Sequence, residues 1–121
     1  MKPDDKIRLQ HMLDAAQEAV TFFNSLNGEN IGNNRLVSYA IIRLIEVVGE
    51  AATQISKEYK NSHQELPWAQ IVGMRNRIVH AYFDIDYSLV ESTVKHDFPA
   101  LIKQLEKLIA LRRMDNPWPS Q

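Results

Sequence analysis

Residues 73–87 read Gly-Met-Arg-Asn-Arg-Ile-Val-His-Ala-Tyr-Phe-Asp-Ile-Asp-Tyr and concentrate more chemistry than any other stretch of the chain. They carry the guanidiniums of Arg75 and Arg77, the imidazole of His80, the phenols of Tyr82 and Tyr87, and the carboxylates of Asp84 and Asp86. An Arg and a His at close quarters divide two tasks at a phosphate. The guanidinium is permanently cationic and forks onto two oxygens, while the imidazole gives or takes a proton near neutral pH. Arg75 and His80 therefore have the parts for phosphodiester cleavage without a metal. His80 would assist attack by an RNA 2′-hydroxyl or protonate the leaving oxygen, and Arg75 would hold the phosphate and the charge that gathers on it. A well-placed acid or base contributes about 10² to 10⁴ in rate, and electrostatic stabilisation contributes a comparable factor.

Geometry sets a condition on this pairing. On an unbroken α-helix the five steps from Arg75 to His80 turn the chain by about 500°, leaving the two side chains roughly 140° apart. Either the helix loosens near His80 or a second copy of the chain completes the site. Asp84-Ile85-Asp86 supplies a plausible stop and restart, because Asp favours turns and helix N-caps. An Arg and a His on a helix also serve structure alone, the one solvated and the other half-buried and hydrogen-bonded. Residue types by themselves leave both readings open.

The order of the motif narrows them. Arg75, four residues, His80, one residue and Tyr82 match the Arg-x4-His-x-Tyr signature of the HepT-like proteins, a branch of the HEPN superfamily, which this chain resembles. Residues 42–52 (Ile-Arg-Leu-Ile-Glu-Val-Val-Gly-Glu-Ala-Ala) resemble the long second helix of that family. Leu66-Pro67-Trp68 and residues 71–76 resemble its approach to the motif, so the likeness covers nearly the whole chain. The resemblance implies an all-α, up-and-down bundle of four to five helices and a metal-independent endoribonuclease that is the toxin of a toxin–antitoxin pair, with no cofactor. It implies a nucleotidyltransferase antitoxin as partner, neutralising the toxin by adenylylating the motif tyrosine. By position, Arg75 and His80 would be catalytic, Tyr82 the modified residue, and Asn76, Arg77 and Glu50 supporting groups. The alternative is a non-catalytic helical binding subunit of a minimal nucleotidyltransferase.

Composition bounds these readings. A chain of 121 residues is one domain, small enough that self-association into a homodimer would help bury apolar surface. Its 14 basic and 15 acidic side chains leave a net charge of −1, which argues against a general nucleic-acid coat protein. A local basic site remains open, with Arg75, Arg77, Lys57 and Lys60 as candidates for clustering. The absence of cysteine removes any disulfide framework or thiolate zinc site and is compatible with the cytoplasm. The first six residues lack an apolar core and do not read as a signal peptide. The most apolar run, 40–48, is interrupted by Arg43 and Glu46, so no membrane span is expected. His11, His63, His80 and His96 do not pair at ligand spacing, and no metal site is expected.

The elements that must position the motif follow from spacing. Pro3 with Asp4 and Asp5 starts a first helix, striped by Leu9, Leu13, Ala16, Val20 and Phe23, that runs to about Leu26 and is closed by Asn27-Gly28. Asn33 or Asn34 caps a second helix running to around Lys60, whose wide stripe from Val37 to Ile55 suggests packing on more than one side. Gly49 inside it costs about 1 kcal/mol of helix propensity, which suggests a second backbone passing close by. Glu46 and Glu50 share a face with Arg43: either they form a solvated row with Arg43 paired to Glu46, or Glu50 orients Arg75 or Arg77 from the neighbouring helix.

Residues 61–65 read as a loop with His63 exposed. Pro67 starts a third helix with Trp68, Ile71, Val72, Met74 and Ile78 as core candidates. Asp86 caps a fourth helix carrying Leu89, Val90 and Val94, which Pro99 should break or kink near Asp97-Phe98. Leu101, Ile102, Leu105, Leu108 and Ile109 mark a last helix ending near Arg112-Arg113. The domain is read as residues 1–114, and residues 115–121, with Trp118, as a tail. No window is read as alternating at period two, so no sheet is expected.

Overall fold

The structure is a computed structural model that describes residues 3–81 and 84–115, with the backbone alone for residues 3, 80, 81 and 111–115. The chain forms an all-α bundle. Helix α1 (Pro3–Asn24) carries Asp4 and Asp5 in its first turn, where acidic charge meets the positive end of the helix dipole. Leu9, Met12, Leu13, Ala16 and Ala19 are its buried face. The turn after it passes through Asn27 at φ 51° and Gly28 at φ 89°, the left-handed region that Asn and Gly occupy at least cost.

After a short 3₁₀ turn at Ile31–Asn33, helix α2 (Arg35–Gln54) starts under the cap of Asn34, whose side chain accepts from the Val37 N–H at 3.0 Å. Ile41, Ile42, Ile45, Val48, Ala51 and Ala52 are buried in two adjoining rows. One side packs on α1 and the other on α4, which makes α2 the spine of the bundle. At Gly49 a Cβ atom would lie 3.3 Å from the Ile71 carbonyl oxygen and 3.4 Å from that of Val72. The nearby backbone anticipated at this glycine is therefore α4 of the same chain.

The second helix stops six residues short of the expected Lys60. Ile55 turns extended (φ −72°, ψ 140°) and remains buried, and Ser56 caps a new short helix, α3 (Lys57–Ser62), by accepting from the Tyr59 N–H at 3.2 Å. The break is held from outside. The buried carboxylate of Asp5 accepts from the Ser56 N–H at 2.8 Å and from its hydroxyl at 2.7 Å. Apolar spacing alone misses this stop, because Ile55 and Tyr59 still fall four apart and both stay buried.

His63, expected to be exposed, is half-buried instead. Its ring stacks on Tyr59 at 4.0 Å between centroids, its Nδ1 lies 3.0 Å from the Tyr59 carbonyl oxygen, and its own carbonyl accepts from Trp68 Nε1 at 2.9 Å. This corner sets the start of helix α4 (Trp68–Ile78), which buries Ile71, Met74 and Ile78 at steps of three and four. Val72 falls outside that stripe and is 40% exposed, not in the core as expected.

A two-stranded antiparallel ribbon follows, β1 (Val79–Ala81) and β2 (Asp84–Ile85), where no sheet was expected. Its signal was in the sequence: Val79, Ala81, Phe83 and Ile85 alternate with His80, Tyr82, Asp84 and Asp86. Asp86 then caps α5 (Tyr87–Ser92), accepting from the Leu89 N–H at 3.0 Å.

The backbone stays helical through Pro99, with a change of helix type at Asp97-Phe98. A π-turn at Thr93–Asp97 precedes helix α6 (Phe98–Asp115), and the proline sits in the first turn of α6. The Phe98 N–H reaches back to the Thr93 carbonyl. That widened turn relieves the clash a proline ring makes with the carbonyl four residues before it. Phe98, Leu101, Leu105 and Leu108 are buried, and α6 packs against α1 to close the core. Residues 116–121, including Trp118, lie outside the described residues. Among the described residues no helix is long and apolar enough to cross a membrane.

Candidate active site

Three core contacts fix where Arg75 goes. Ile71, Met74 and Ile78 lock the phase of α4, and the close approach at Gly49 brings its backbone against α2. The two helices run antiparallel there, so one turn onward from Ile71 on α4 is level with one turn back from Gly49 on α2. Arg75 accordingly meets Glu46, with Nε 3.8 Å from Oε2. The same carboxylate oxygen lies 3.9 Å from Arg43 Nη1, which is in turn 3.3 Å from Glu50 Oε1. Four charges of alternating sign thus run along the α2–α4 seam.

The carboxylate that orients Arg75 is Glu46. Glu50, the candidate for that role in one of the two alternatives, engages Arg43 because it lies a turn beyond the level of Arg75. The expected Arg43–Glu46 pair is present. The Arg75 side chain is 51% exposed and that of Glu46 28%, so the carboxylate is the more sheltered partner. With Nε turned to Glu46, the Nη groups are the ones suited to fork onto a phosphate.

Arg77 takes a different direction. Its Nη2 donates to the Gln70 carbonyl at 2.7 Å, and its Nη1 lies 3.1 Å from where a Cβ on Gly73 would stand. It folds back along α4 to the rim of a groove of about 240 Å³ shared with Met74, His96, Phe98 and Gln104. Residues two positions apart on a helix are about 200° apart around its axis, and the structure keeps the two guanidiniums on separate sides. Asn76, between them, is exposed.

The helix does loosen before His80. Val79 ends α4 with extended backbone angles (φ −115°, ψ 102°), so the helical offset between Arg75 and His80 does not apply. His80 lies in β1 where the pairing register shifts: Val79 is opposite Ile85 and Ala81 opposite Asp84, which leaves His80 as the extra residue of a β-bulge. Such bulges recur beside active sites, where they re-aim a side chain. The Asp86 N–H donates to the Ile78 carbonyl at 2.8 Å and closes the ribbon at its base. Tyr82 lies outside the described residues.

Arg35 and Tyr39, in the first turns of α2, are not among the residues that the motif or the apolar spacing marks. Arg35 Nη2 donates to the Tyr39 hydroxyl at 3.1 Å, and the guanidinium carbon stands 5.5 Å from the centre of the Tyr39 ring. The hydrogen bond to Tyr39 raises the Arg35 pKa above its ordinary value, with Tyr87 within electrostatic reach. The available signal was the spacing of Arg35, Tyr39, Arg43, Glu46 and Glu50, at steps of four, four, three and four. Among the described residues no group of three or more His, Cys, Asp or Glu side chains could hold a metal ion.

Comparison with known proteins places the chain in a family. The family model described as Ribonuclease HepT-like matches residues 12–108, which include Arg75 and His80 and both faces of the α2–α4 seam. A protein of Methanocaldococcus jannaschii named "Putative RNase MJ1380" is 35% identical over 105 residues, covering 87% of this chain and 96% of that protein. A second from the same organism, "Putative RNase MJ1216", is 33% identical over 108 residues, 89% of each chain. The "Probable ribonuclease HepT" of Thermococcus cleftensis is 33% identical over 108 residues, 89% of this chain and 98% of its own length. No solved structure gives a significant match to the chain. With four-fifths of its length inside the family match and relatives aligned nearly end to end, the chain belongs to the ribonuclease HepT-like family.

Proposed function

We propose that this protein is a metal-independent RNA endonuclease, the toxin of a toxin–antitoxin pair. The observation that carries the reading is the position of Arg75-x4-His80-x-Tyr82 within the family match, on a helix that stops at Ile78 and gives way to a bulged strand at His80. In the proposed reaction the RNA 2′-hydroxyl gives up its proton and bonds to the adjacent phosphorus. The bond from phosphorus to the 5′ oxygen breaks, and that oxygen takes a proton. The products are a 2′,3′-cyclic phosphate and a 5′-hydroxyl. His80 moves a proton, and Arg75, with Nε turned to Glu46, neutralises the charge building on the phosphate oxygens. The functional unit is proposed to be a cytoplasmic homodimer that brings two such pairs to one cleft, and no cofactor enters the chemistry.

The proposed antitoxin is a nucleotidyltransferase that adenylylates Tyr82, two residues from His80, where an added phosphate would compete with RNA for the same cation. Purified, unmodified protein is expected to cleave single-stranded RNA in EDTA, and His80→Ala to lose at least about 100-fold in rate. Equal activity in the variant overturns the nuclease reading in favour of a non-catalytic binding subunit. Co-expression with the partner enzyme should add AMP masses that map to Tyr82 and vanish in Tyr82→Phe.

A further inference from the structure

We propose that the exposed face of α2 from Arg35 and Tyr39 through Arg43 to the level of Arg75 is an RNA-binding track. It would hold a short single-stranded segment beside the phosphate to be cut. The proposal rests on the nuclease reading above and adds the residues that grip the substrate away from the reacting bond.

The placement comes first. At 100° per residue, Arg35, Tyr39, Arg43 and Glu46 lie within an arc of about 80° on α2, and from Arg35 to Glu46 is roughly 16 Å along the axis. They form one row, with Arg75 leaning onto its far end. Helix α4 runs alongside the Glu46 end of that row. Antiparallel packing sets Ile71 and Val72 at Gly49 and Arg75 at Glu46, so the chain beyond Arg75 heads toward the beginning of α2. It has returned there by Tyr87, whose ring lies 3.7 Å from where a Cβ on Gly32 would stand and which is within electrostatic reach of Arg35.

The surface chemistry suits an unpaired strand. Tyr39 is 48% exposed and offers a ring face to a base, next to Leu36, which is 82% exposed. Arg35 is already held by the Tyr39 hydroxyl at 3.1 Å, so little freedom is lost when it meets a phosphate. Aromatic and cationic groups in one groove or row are the common means of holding single strands, since every base has a face to stack and every link a charge. Glu50 lies one turn beyond Glu46, past the Arg75 end of the row, and is paired with Arg43 at 3.3 Å.

The test compares an RNA of about ten nucleotides with a dinucleotide that reaches only the cleaved bond, since stacking one base is worth roughly 5- to 150-fold in affinity. Tyr39→Ala should raise KM for the longer RNA about tenfold with little change in kcat, and leave the dinucleotide unaffected. Tyr39→Phe, which keeps the ring, should restore most of the loss. Arg35→Ala should lower the salt dependence of binding by about 0.7 in log–log slope, the share of one phosphate contact on a single strand. Binding of a 2′-O-methyl oligonucleotide, which cannot be cleaved by 2′-hydroxyl attack, reads the track even where the chain cuts nothing. Failure of the nuclease reading is thereby distinguished from failure of this one. Unchanged KM and unchanged oligonucleotide binding in Tyr39→Ala would overturn the proposal. So would a change of oligomeric state in that variant, which would make the face an interface between copies of this chain.

Discussion

A guanidinium that gives one edge to a carboxylate keeps the other for an oxyanion, and Arg75 is held in that way by Glu46 at 3.8 Å. The pair sits near the surface, where such contacts are worth about 0 to 1 kcal/mol to the fold, so its value lies in aim. Glu46→Gln is expected to leave the melting temperature nearly unchanged while lowering kcat on RNA about tenfold, because misplacement by an ångström can cost as much as 10²-fold. KM should fall or hold, since the carboxylate also repels the substrate phosphate, and steady-state kinetics read the two parameters separately. Arg75 and His80 stand out in the sequence through the Arg-x4-His-x-Tyr order that resembles the family signature. Glu46 does not, since Glu46 and Glu50 differ only in which turn of α2 lies level with Arg75. That depends on where two helices cross.

The crossing is an affair of elements, and Gly49 governs it. A Cβ there would press on the Ile71 and Val72 carbonyl oxygens at 3.3 and 3.4 Å, atoms of backbone that cannot swing aside. Gly49→Ala should change stability by no more than about 1 kcal/mol, the helix-propensity gain offsetting the contact. Gly49→Leu should cost about 1–3 kcal/mol by overpacking, read as a lower urea midpoint, and should lose RNA cleavage as α4 and Arg75 shift.

The helices were legible for the same reason that this glycine was: periodic apolar residues, Asn34 and Asp86 as caps, and a small residue where a neighbour must come close. What escaped was set by contacts distant in sequence. Asp5 terminates α2 from 51 positions away. The π-turn before Pro99 keeps a helix going where proline chemistry alone argues for a stop. The ribbon of Val79–Ala81 and Asp84–Ile85 escaped because so short an alternation does not stand out against the helical stripes on either side.

On the scale of the whole molecule, a chain of net charge −1 offsets the two cations of the α2–α4 seam, Arg43 and Arg75, with Glu46 and Glu50. Polyanions at large find little to hold them, and selectivity is left to the short row beside the motif. Val72, one turn before Arg75, is 40% exposed, apolar surface that a second copy could cover. A homodimer should sediment with twice the 14.0 kDa of the chain and show a melting temperature that climbs with protein concentration, as mass action requires. A concentration-independent midpoint together with a monomer mass would exclude it. The clasp between Asp5 and Ser56 bears on how such experiments are built. It joins the first turn of α1 to the point where α2 gives way to α3, and the Tyr59–His63–Trp68 corner beyond it decides where α4 begins. A purification tag or trim that disturbs that first turn would therefore be felt far from the amino terminus, as a loosened corner and a drifting Arg75.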